Sequence, residues 1–591
     1  MKFDQKNSKT NENQTQSQRF RLSFIIVIAI ILACLLGLAY RIIYLDTVNQ
    51  DFLQTQAKSQ IIHKVKVSAT RGVIFDRNGI PLAVSTTLYK LILDVKVLSE
   101  YPDKYPKLAS LNIDGLSIQY LHELIKKHPH SRYRISAQYI TPLDAQRIKD
   151  LHIPGIYLEK QMRTYYPEGS ATAQLIGFTN ASNKGQDGLE MTYNNQLKAQ
   201  SSTEIIETDS RGNLIKTLHA LKHYHQGKDI YLSIDAVIQQ FTFNALKAGV
   251  IDAQADSGAA IVLNSKTGEV LASASYPSFN PNLFSSRTGR SISERPIIDT
   301  FEPGSTIKPF IVAMGLQSGK YTPDTIINTS PGRYKVQGHT IRDDANFGAI
   351  TVTQVLQKSS NVGVSKIALS LSHEKVYDFL HQLGFGNQVG YAFPGENSGY
   401  LPPVESLGNF SYATTAFGYG MTSSVLQLAH AYSIFANDGK LCPISLTLEK
   451  QPPFCPSVIS STHANQVLQM LHSVVTIHGT GVLANIPGFE VAGKTGTTHK
   501  VGHGGFLKNS YNAVFAGVAP LKNPKLVIIV WIDNPHKNHF YQYGGVSAAP
   551  IFASIARQSL EYLGTPYQQH LDSYQLIDKN KKWLMHVIES N

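Results

Sequence analysis

The first strong pattern along the chain is an uninterrupted apolar run near the N-terminus. Residues 22–40 read LSFIIVIAIILACLLGLAY and contain no charged side chain. A helix of this length spans roughly 28 Å, close to the hydrocarbon thickness of a bilayer. Residues 1–21 are polar and more basic than acidic, which predicts a cytoplasmic tail and an exported remainder. A cleaved signal peptide is the alternative, because Gly37-Leu38-Ala39 resembles a cleavage site, but the apolar run exceeds the usual length of such peptides.

Alternating polar and apolar residues dominate the section that follows. Residues 65–97 read VKVSATRGVIFDRNGIPLAVSTTLYKLILDVKV, with alternation on both sides of Asn78-Gly79. That dipeptide is a strong hairpin signal, so two antiparallel strands are predicted here. Residues 100–150 are mixed and include one helix-like stretch, and residues 151–228 read as short strands and turns.

A second, larger unit begins near Asp229, where the periodicity becomes helical. Apolar residues then recur at steps of three and four, as in an amphipathic helix: Ile234, Ile238, Phe241, Ala245 and Ala248. Paired apolar runs predict one hairpin early in this unit and another late in it, with a further strand just before the second: 259–264 with 269–275, 512–520 with 525–533, and 489–498. Helical patterns fill the middle. The arrangement predicts an α+β domain whose antiparallel sheet is assembled from distant segments.

Composition narrows the class of protein. The chain has 591 residues, of which 42% are hydrophobic and 16% charged, which excludes a disordered chain. Lys plus Arg is 54 and Asp plus Glu is 42, a net charge of +12. This charge is spread along the chain, which favours weak attraction to anionic lipid or cell-wall polymers over nucleic-acid binding.

Cysteine usage fits an exported protein. Three Cys exclude a disulfide-dense scaffold and clustered zinc sites. Cys34 lies in the apolar run, whereas Cys442 and Cys455 lie 13 positions apart in the exported part. We expect either a disulfide between them or two free, partly buried thiols.

Three short motifs occur in order along the second unit. They are S-x-x-K, S-x-N and K-T-G, at residues 305–308, 359–361 and 494–496. Each is weak alone, because a Ser at a helix start is usually a cap, a Ser-Ser-Asn run a turn and a Lys-Thr-Gly a loop. The chain even holds a second copy of each, at residues 372–375, 278–280 and 266–268. Only the first set has the order and local settings that one active site needs.

The first motif predicts an activated serine. Pro303-Gly304 breaks the chain before Ser305, and an apolar periodic segment follows, so Ser305 is expected at a helix N-terminus. Lys308 is then one turn away on the same face. A serine hydroxyl needs an adjacent base, and Lys can serve where burial or the helix dipole disfavours its charged form.

The other two motifs supply the groups that surround a reacting carbonyl. On a turn, Ser359 and Asn361 can both point into a cleft, where Ser359 relays a proton and Asn361 holds a substrate amide. Lys494, on a strand, offers a fixed positive charge for a substrate carboxylate. Gly496 lets substrate approach the backbone, and the Thr497 N–H can donate to an oxyanion. Together the motifs predict acyl transfer through a serine.

The wider context resembles the division-specific class B penicillin-binding proteins, the FtsI-type peptidoglycan D,D-transpeptidases. Four segments around the motifs carry the resemblance: 301–310 (FEPGSTIKPF), 356–369 (LQKSSNVGVSKIAL), 417–421 (FGYGM) and 492–502 (AGKTGTTHKVG). Three more resemble that family's non-catalytic pedestal: 71–79, 163–180 and 185–197.

The resemblance implies an organisation and a reaction. The implied parts are a cytoplasmic tail, a transmembrane anchor, a pedestal, a transpeptidase domain and a C-terminal tail, at 1–21, 22–40, 41–228, 229–565 and 566–591. The family cross-links stem peptides of septal peptidoglycan through a serine acyl-enzyme, and β-lactams trap that serine. It acts at the inner membrane with its catalytic domain outside, alongside a membrane glycan polymerase and other division proteins. No metal, cofactor or nucleic acid is implied.

The resemblance also implies a role for each site residue. Ser305 is the nucleophile and Lys308 its base, and Ser359 and Asn361 line the cleft. The substrate carboxylate is bound by the K-T-G-T segment, and the N–H groups of Ser305 and Thr497 form the oxyanion hole. The carboxylate-binding residues are Lys494, Thr495 and Thr497.

Three other functions remain in competition. An elongation-specific class B transpeptidase shares the chemistry and differs in partners. A β-lactam-hydrolysing enzyme or drug sensor shares the motifs, but a class A hydrolase needs a separate deacylating Glu that the sequence does not reveal. A non-catalytic division scaffold would keep residues 22–200 and lose the chemistry, which the intact motifs argue against.

Overall fold

The computed structural model describes residues 5–567 apart from 68–69, 114, 181, 200–201, 209–213, 221–225, 284–285, 288, 391–392, 450 and 503–504. Most of the C-terminal tail predicted at 566–591 lies outside the described residues. The chain divides into two compact units. One comprises residues 1–69 with 199–226, and the other residues 70–198 with 227–591.

Helices and strands alternate irregularly along the chain. The α-helices are α1 Gln5–Thr47, α2 Gln50–Ile61, α3 Val95–Leu98, α4 Tyr105–Ala109, α5 Ile118–Lys127, α6 Pro142–Asp150, α7 Ala173–Ile176, α8 Gly188–Thr192, α9 Asn194–Leu197, α10 Ala236–Asp252, α11 Arg295–Ile298, α12 Lys308–Gln317, α13 Val352–Gln357, α14 Asn361–Leu369, α15 His373–Gln382, α16 Asn409–Thr415, α17 Val425–Ala436, α18 Ser461–Val475, α19 Gly544–Ser547 and α20 Ala549–Tyr562. The strands are β1 Ile62–Val67, β2 Ile74–Phe75, β3 Pro81–Leu93, β4 Arg134–Ile140, β5 Ile156–Tyr165, β6 Ser202–Thr208, β7 Leu214–Ala220, β8 Ile230–Tyr231, β9 Ser257–Asn264, β10 Val270–Tyr276, β11 Ile326–Asn328, β12 Arg333–Val336, β13 His339–Arg342, β14 Ala349–Thr351, β15 Ala492–Gly502, β16 Gly505–Ala519 and β17 Leu526–Asp533.

The first unit contains the predicted membrane segment. Helix α1 includes a 29-residue stretch, Arg19–Thr47, that is long and apolar enough to cross a membrane. None of the residues in its most apolar part is buried. Apolar side chains exposed all around a helix need a lipid environment. The helix extends several residues beyond the apolar run at both ends. After α2, strands β1, β6 and β7 form a three-stranded antiparallel sheet.

The second unit begins with a sheet built around the long strand β3. The turn predicted at Asn78-Gly79 is confirmed: β2 and β3 pair antiparallel across it, and Gly79 has a φ of +82°. Strand β3 also pairs with β4 and β5, and β2 pairs in parallel with β8. Helices α3 to α6 pack with β3 and its partners around a small core that includes Leu91, Leu98 and Leu121.

The larger part of this unit is the predicted α+β domain. Its five strands lie in the antiparallel order β10-β9-β17-β16-β15, so segments more than 200 residues apart in sequence are neighbours. Both predicted hairpins, the predicted strand and helix α10 are present. Helices α10 and α20 pack together on the sheet, and α17 and α18 pack with it in a second cluster of apolar residues. The α+β fold class is confirmed.

One central helix and one edge strand frame the cleft. Helix α12 is buried on nearly every side, as expected of a helix with almost no polar residues. Strand β15 lies at the edge of the five-stranded sheet, so among the described strands only β16 pairs with it. The turn that enters α12 packs against this strand.

Candidate active site

The predicted nucleophile lies in a tight turn that leads into a buried helix. Gly304–Ile307 forms one 3₁₀ turn, and α12 begins directly after it. Gly304 has a φ of +56°, a conformation that favours glycine. The buried Tyr432 hydroxyl donates to Thr306 O at 2.8 Å and anchors the turn to the core. Ser305 is half-buried and lies in the turn directly before α12, close to the helix N-terminus that the sequence predicts.

Lys308 is fully buried, and residues of the second motif hold its amino group. Its Nζ donates to Asn361 Oδ1 at 2.7 Å, to Ser359 Oγ at 3.1 Å and to the Ser359 carbonyl. Burial lowers the pKa of Lys308 to about 7, while the negative charges of Asp343 and Asp344 oppose that shift. A lysine with this pKa is partly neutral near pH 7, so it can accept a proton from a hydroxyl.

Asp343 holds the second motif at the start of α14. Ser360 caps this helix, donating its hydroxyl proton to Asp343 Oδ2 at 2.7 Å and accepting from Gly363 N. Asp343 Oδ1 accepts from the backbone N–H groups of Asn361 at 2.5 Å and Val362 at 2.9 Å. A carboxylate is favourable here because the first N–H groups of a helix lack intrahelical partners. The orientation of Asn361 therefore depends on Asp343.

Ser359 has a backbone conformation that non-glycine residues rarely adopt. Its φ is +58°, in the left-handed region. In this conformation both its carbonyl and its hydroxyl reach Lys308, and the hydroxyl also accepts from Lys494 Nζ at 2.9 Å. Backbone strain of this kind persists where surrounding contacts over-determine it. The predicted turn thus brings Ser359 and Asn361 to the same lysine.

Lys494 lies on β15 and is also fully buried. Besides Ser359 Oγ, its Nζ donates to Thr495 O at 3.0 Å. Burial lowers the pKa of Lys494 well below its usual value, and the positive charge of Lys308 adds to the effect. Lys494 remains the residue predicted to attract a substrate carboxylate, and its burial beside Lys308 disfavours its charged form.

Gly496 allows the edge strand to touch the nucleophile turn. A Cβ added there would lie 2.9 Å from both Pro303 O and Thr306 Cγ2, too close for any side chain. We expected this glycine to admit substrate, but the turn itself fills the space. From the other side, a Cβ on Gly304 would lie 3.7 Å from Thr497 N. The backbone of Thr497 is therefore adjacent to the turn that carries the predicted nucleophile.

The two threonines of the third segment have different surroundings. Thr497 is half-buried, and its Oγ1 accepts from Gly544 N at 3.2 Å, which leaves its hydroxyl proton for a ligand. Thr495 is buried, and its Oγ1 lies 2.7 Å from Thr480 Oγ1. Thr495 therefore links β15 to the segment that contains Thr480, while the half-buried Thr497 is the more accessible of the two threonines predicted to bind the carboxylate.

The second copies of the motifs have structural settings. Residues 266–268 form the turn between β9 and β10, where Gly268 has a φ of +75°. Ser372 caps α15 by accepting from Lys375 N. Ser278 donates its hydroxyl proton to the carbonyl of Ser170. The distinction made from sequence order agrees with these positions.

A disulfide links Cys442 and Cys455. Cys442 is buried and lies against the turn that contains Gly268, because a Cβ on that glycine would be 3.2 Å from Cys442 Cβ. Cys34 is exposed on α1. Of the two states considered for the exported cysteines, the structure contains the bridged one.

Two carboxylates of the cleft, those of Asp343 and Asp344, are not indicated by any motif in the sequence. Asp343 bonds Ser360, which lies 17 positions later, through the fold of the β12–β13 hairpin, and no motif spacing signals that contact. Asp344, also missed, acts on both buried lysines through its charge. Among the described residues, no group of three or more His, Cys, Asp or Glu side chains is arranged to hold a metal ion.

The fold and cleft define an α+β domain in which a serine and two buried lysines meet at a sheet edge. Comparison with known proteins agrees. Residues 258–557 match the penicillin-binding protein transpeptidase domain, and residues 66–232 match the penicillin-binding protein dimerisation domain. The chain therefore belongs to the penicillin-binding protein family.

Similar proteins span nearly the whole chain. The probable peptidoglycan D,D-transpeptidase PbpC of Pseudomonas aeruginosa is 36% identical over 95% of this chain and 99% of its own length. The peptidoglycan D,D-transpeptidase FtsI of Escherichia coli K12 is 35% identical over 94% of each chain. The crystal structure of penicillin-binding protein 3 from Mycobacterium tuberculosis, complexed with aztreonam, matches with a TM-score of 0.65 at 26% identity, covering 86% of this chain and 99% of that one.

Proposed function

We propose that this chain is a peptidoglycan D,D-transpeptidase that works through a serine acyl-enzyme. One observation carries the proposal: Lys308 and Lys494, which are far apart in sequence, both donate to the Ser359 hydroxyl beside the turn that presents Ser305. The names of relatives that span nearly the full chain support the same activity.

The first step forms an ester on Ser305. Its Oγ attacks the carbonyl carbon of the penultimate D-Ala of a donor stem peptide, and neutral Lys308 accepts the hydroxyl proton. The N–H groups of Ser305 and Thr497 stabilise the oxyanion. The bond to the terminal D-Ala nitrogen then breaks, and Lys308 returns the proton to the leaving amine through the Ser359 hydroxyl, 3.1 Å away.

The donor carboxylate fixes the position of the substrate for this step. When the terminal carboxylate binds beside Lys494 and Thr497, its negative charge raises the pKa of Lys494 and favours an ion pair between them. This pair holds the donor beside Ser305, while burial keeps Lys308 basic.

The second step cross-links two peptides. An amine from a neighbouring stem peptide attacks the ester carbonyl and gives up a proton to Lys308. An amide bond forms, the ester bond to Ser305 Oγ breaks, and Lys308 passes that proton to the serine oxygen. Asn361 holds a substrate amide during both steps, while Thr495 acts indirectly by supporting β15. A β-lactam mimics the donor dipeptide and leaves a stable ester on Ser305.

The location of the protein follows from its first helix and its family. The apolar stretch of α1 fits a single-pass membrane protein with the catalytic domain outside. The proposed parts are a pedestal at 41–228 and a transpeptidase domain at 229–565, supported by the two family matches. The name of the FtsI relative supports action at the division septum, with a membrane glycan polymerase and division proteins as partners.

Acylation by a fluorescent penicillin tests the reaction. The full chain, in detergent micelles, is incubated with the drug and followed by intact mass spectrometry. We expect one long-lived adduct, absent from Ser305→Ala and present in the matched control Ser372→Ala, which alters the second S-x-x-K copy. An adduct lost within seconds would identify a hydrolase, and no adduct at all would favour a non-catalytic scaffold.

Depletion in cells separates the two transpeptidase roles. Loss of a division enzyme blocks septation and gives filaments, whereas loss of an elongation enzyme gives round cells. We expect filaments that are rescued by the wild-type chain and not by Ser305→Ala. Round cells would assign the same chemistry to elongation.

A further inference from the structure

The segment that precedes the nucleophile is bonded to two walls of the cleft. On one side, Phe301 and Ser423 exchange backbone hydrogen bonds at 3.0 and 2.9 Å, and Gly304 N donates to Gly418 O at 3.2 Å. On the other side, Thr498 of β15 donates its hydroxyl proton to the backbone carbonyl of Glu302, which directly follows Phe301. Any displacement of this segment moves the nucleophile turn that follows it.

The side chain of Glu302 adds a link that backbone pairing does not supply. Its Oε1 accepts from the N–H of Gly420 at 2.9 Å. Gly418 and Gly420 have φ values of +81° and +72°, so the chain turns sharply on both sides of Tyr419. The carboxylate of Glu302 thus closes a loop, residues 417–421, that contacts the nucleophile turn at Gly418.

The loop 417–421 packs closely against the turn that contains Ser305. A Cβ on Gly418 would lie 2.2 Å from Gly304 O and 2.4 Å from Gly304 N. The ring of Tyr419 packs edge-on against Phe417, with centroids 5.6 Å apart, and against Phe506 of β16 at 6.0 Å. The loop therefore contacts both the turn with Ser305 and the hairpin formed by β15 and β16.

We infer that Glu302 is a positioning residue, which holds the loop 417–421 so that Tyr419 keeps its place beside the Ser305 turn. The inference rests on the proposed acylation of Ser305. Glu302 Oε2 is buried and has no hydrogen-bond partner among the described residues, so the contact to Gly420 is the main anchor of this carboxyl group. Burial also raises the pKa of Glu302, and burial and the Glu302 charge raise the pKa of Tyr419 to about 12.

The test measures the rate constant for acylation of Ser305 by fluorescent penicillin in the full chain. Glu302→Ala removes the acceptor for Gly420 N–H, and we expect a 10- to 100-fold slower rate, in the range caused by small misplacements of catalytic groups. Glu302→Gln keeps an oxygen acceptor, and we expect a rate within about threefold of wild type. The matched control is Glu396→Ala, which removes a carboxylate that accepts a backbone N–H from Val389 in a different loop.

A double substitution separates positioning from a general loss of stability. If Glu302 acts through Tyr419, the two substitutions are not additive. Glu302→Ala should then lower the acylation rate constant by less than about threefold when Tyr419→Ala is already present. The inference would be overturned if Glu302→Ala lowered the acylation rate constant by the same factor with and without Tyr419→Ala. It would also be overturned if Glu302→Gln acylated as slowly as Glu302→Ala. Unchanged acylation in Glu302→Ala would overturn it as well. Absence of labelling in the wild type would instead overturn the proposed function, and this inference with it.

Discussion

The chain contains the triplet Lys-Thr-Gly twice, at 266–268 and at 494–496, and the two copies have different structures. The first forms the turn between β9 and β10. Its lysine side chain is 40% exposed, donates to Ala436 O at 3.0 Å and lies 3.6 Å from Asp438. The second lies on the edge strand β15, where Lys494 is fully buried and reaches the hydroxyl of Ser359. Identical residues therefore produce a surface turn in one place and one wall of a cleft in the other.

The glycines differ in the same way. Gly268 is needed for its positive φ of +75° and because a Cβ would lie 2.4 Å from Pro443 O. Gly496 has ordinary strand geometry and is needed only because Pro303 and Thr306 fill the space above it. The first glycine shapes its own turn, whereas the second shapes the contact with the nucleophile. The role of this triplet therefore depends on which distant segments of the chain pack against it.

Removal of each lysine should produce the largest contrast. Lys494→Ala deletes one of the two donors to the Ser359 hydroxyl and the group proposed to bind the substrate carboxylate, so we expect acylation of Ser305 to slow by about 100- to 1,000-fold. Lys266→Ala removes a partly exposed ion pair worth at most about 1 kcal/mol and should leave acylation unchanged. Time-resolved labelling with fluorescent penicillin measures both. Equal rates in the two variants would refute the distinction between the copies.

Substitution of Gly496 by alanine should slow acylation, whereas the same change at Gly268 should lower stability. Gly496→Ala places a Cβ against the nucleophile turn, and the displacement should slow acylation by about 10- to 100-fold. Gly268→Ala forces a Cβ into a left-handed residue, which should lower the free energy of unfolding by about 1–3 kcal/mol and leave the acylation of folded protein unchanged. Thermal unfolding and labelling of the same samples test this. A loss of acylation in Gly268→Ala without unfolding would contradict it.

The pH dependence of acylation should reveal the buried pair of lysines. Only neutral Lys308 can accept the serine proton, and burial lowers its pKa to about 7. Lowering the pH below 7 protonates this lysine, so the acylation rate should fall about tenfold per pH unit there and level off above it. Asp344→Asn removes a charge that raises the pKa of Lys308, so its profile should shift to lower pH. A flat rate between pH 5 and 7 would exclude Lys308 as the base.

Features of the fold that depend on residues close together in sequence agree with the structure. The turn at Asn78-Gly79, helix α10 and the hairpin of β9 and β10 depend on local periodicity, and the structure confirms all three. The proximity of Ser305 and Lys308 is equally local, since both lie on one helical turn. The order of the three motifs along the chain added the non-local information that single motifs lack.

The features that could not be predicted all depend on contacts between distant segments. Asp343 reaches Ser360 only because β12 and β13 fold into a hairpin beside α14. The reason for Gly496 arises when the nucleophile turn packs against β15. The contact between Thr495 and Thr480 arises when the segment that follows α18 reaches the same strand. The lowered pKa of Lys494 likewise requires knowledge of burial and of Lys308. None of these relations has a fixed spacing in sequence.

Loss of the disulfide should have the smallest effect on acylation and a selective effect on the first triplet. The disulfide closes a loop between Cys442 and Cys455, and Cys442 lies against Lys266 and Gly268, so it braces the first triplet. In the chain-entropy model a loop of this size contributes about 3 kcal/mol to the free energy of unfolding. The double variant Cys442→Ser with Cys455→Ser should therefore unfold more easily. Its acylation rate below the unfolding temperature should stay within about twofold of wild type, since the Lys494 site is untouched. Cys34→Ser, on α1, is the control and should change neither quantity. If the double variant lost acylation in proportion to stability, the two copies of the triplet would be coupled, and the separation drawn between them would fail.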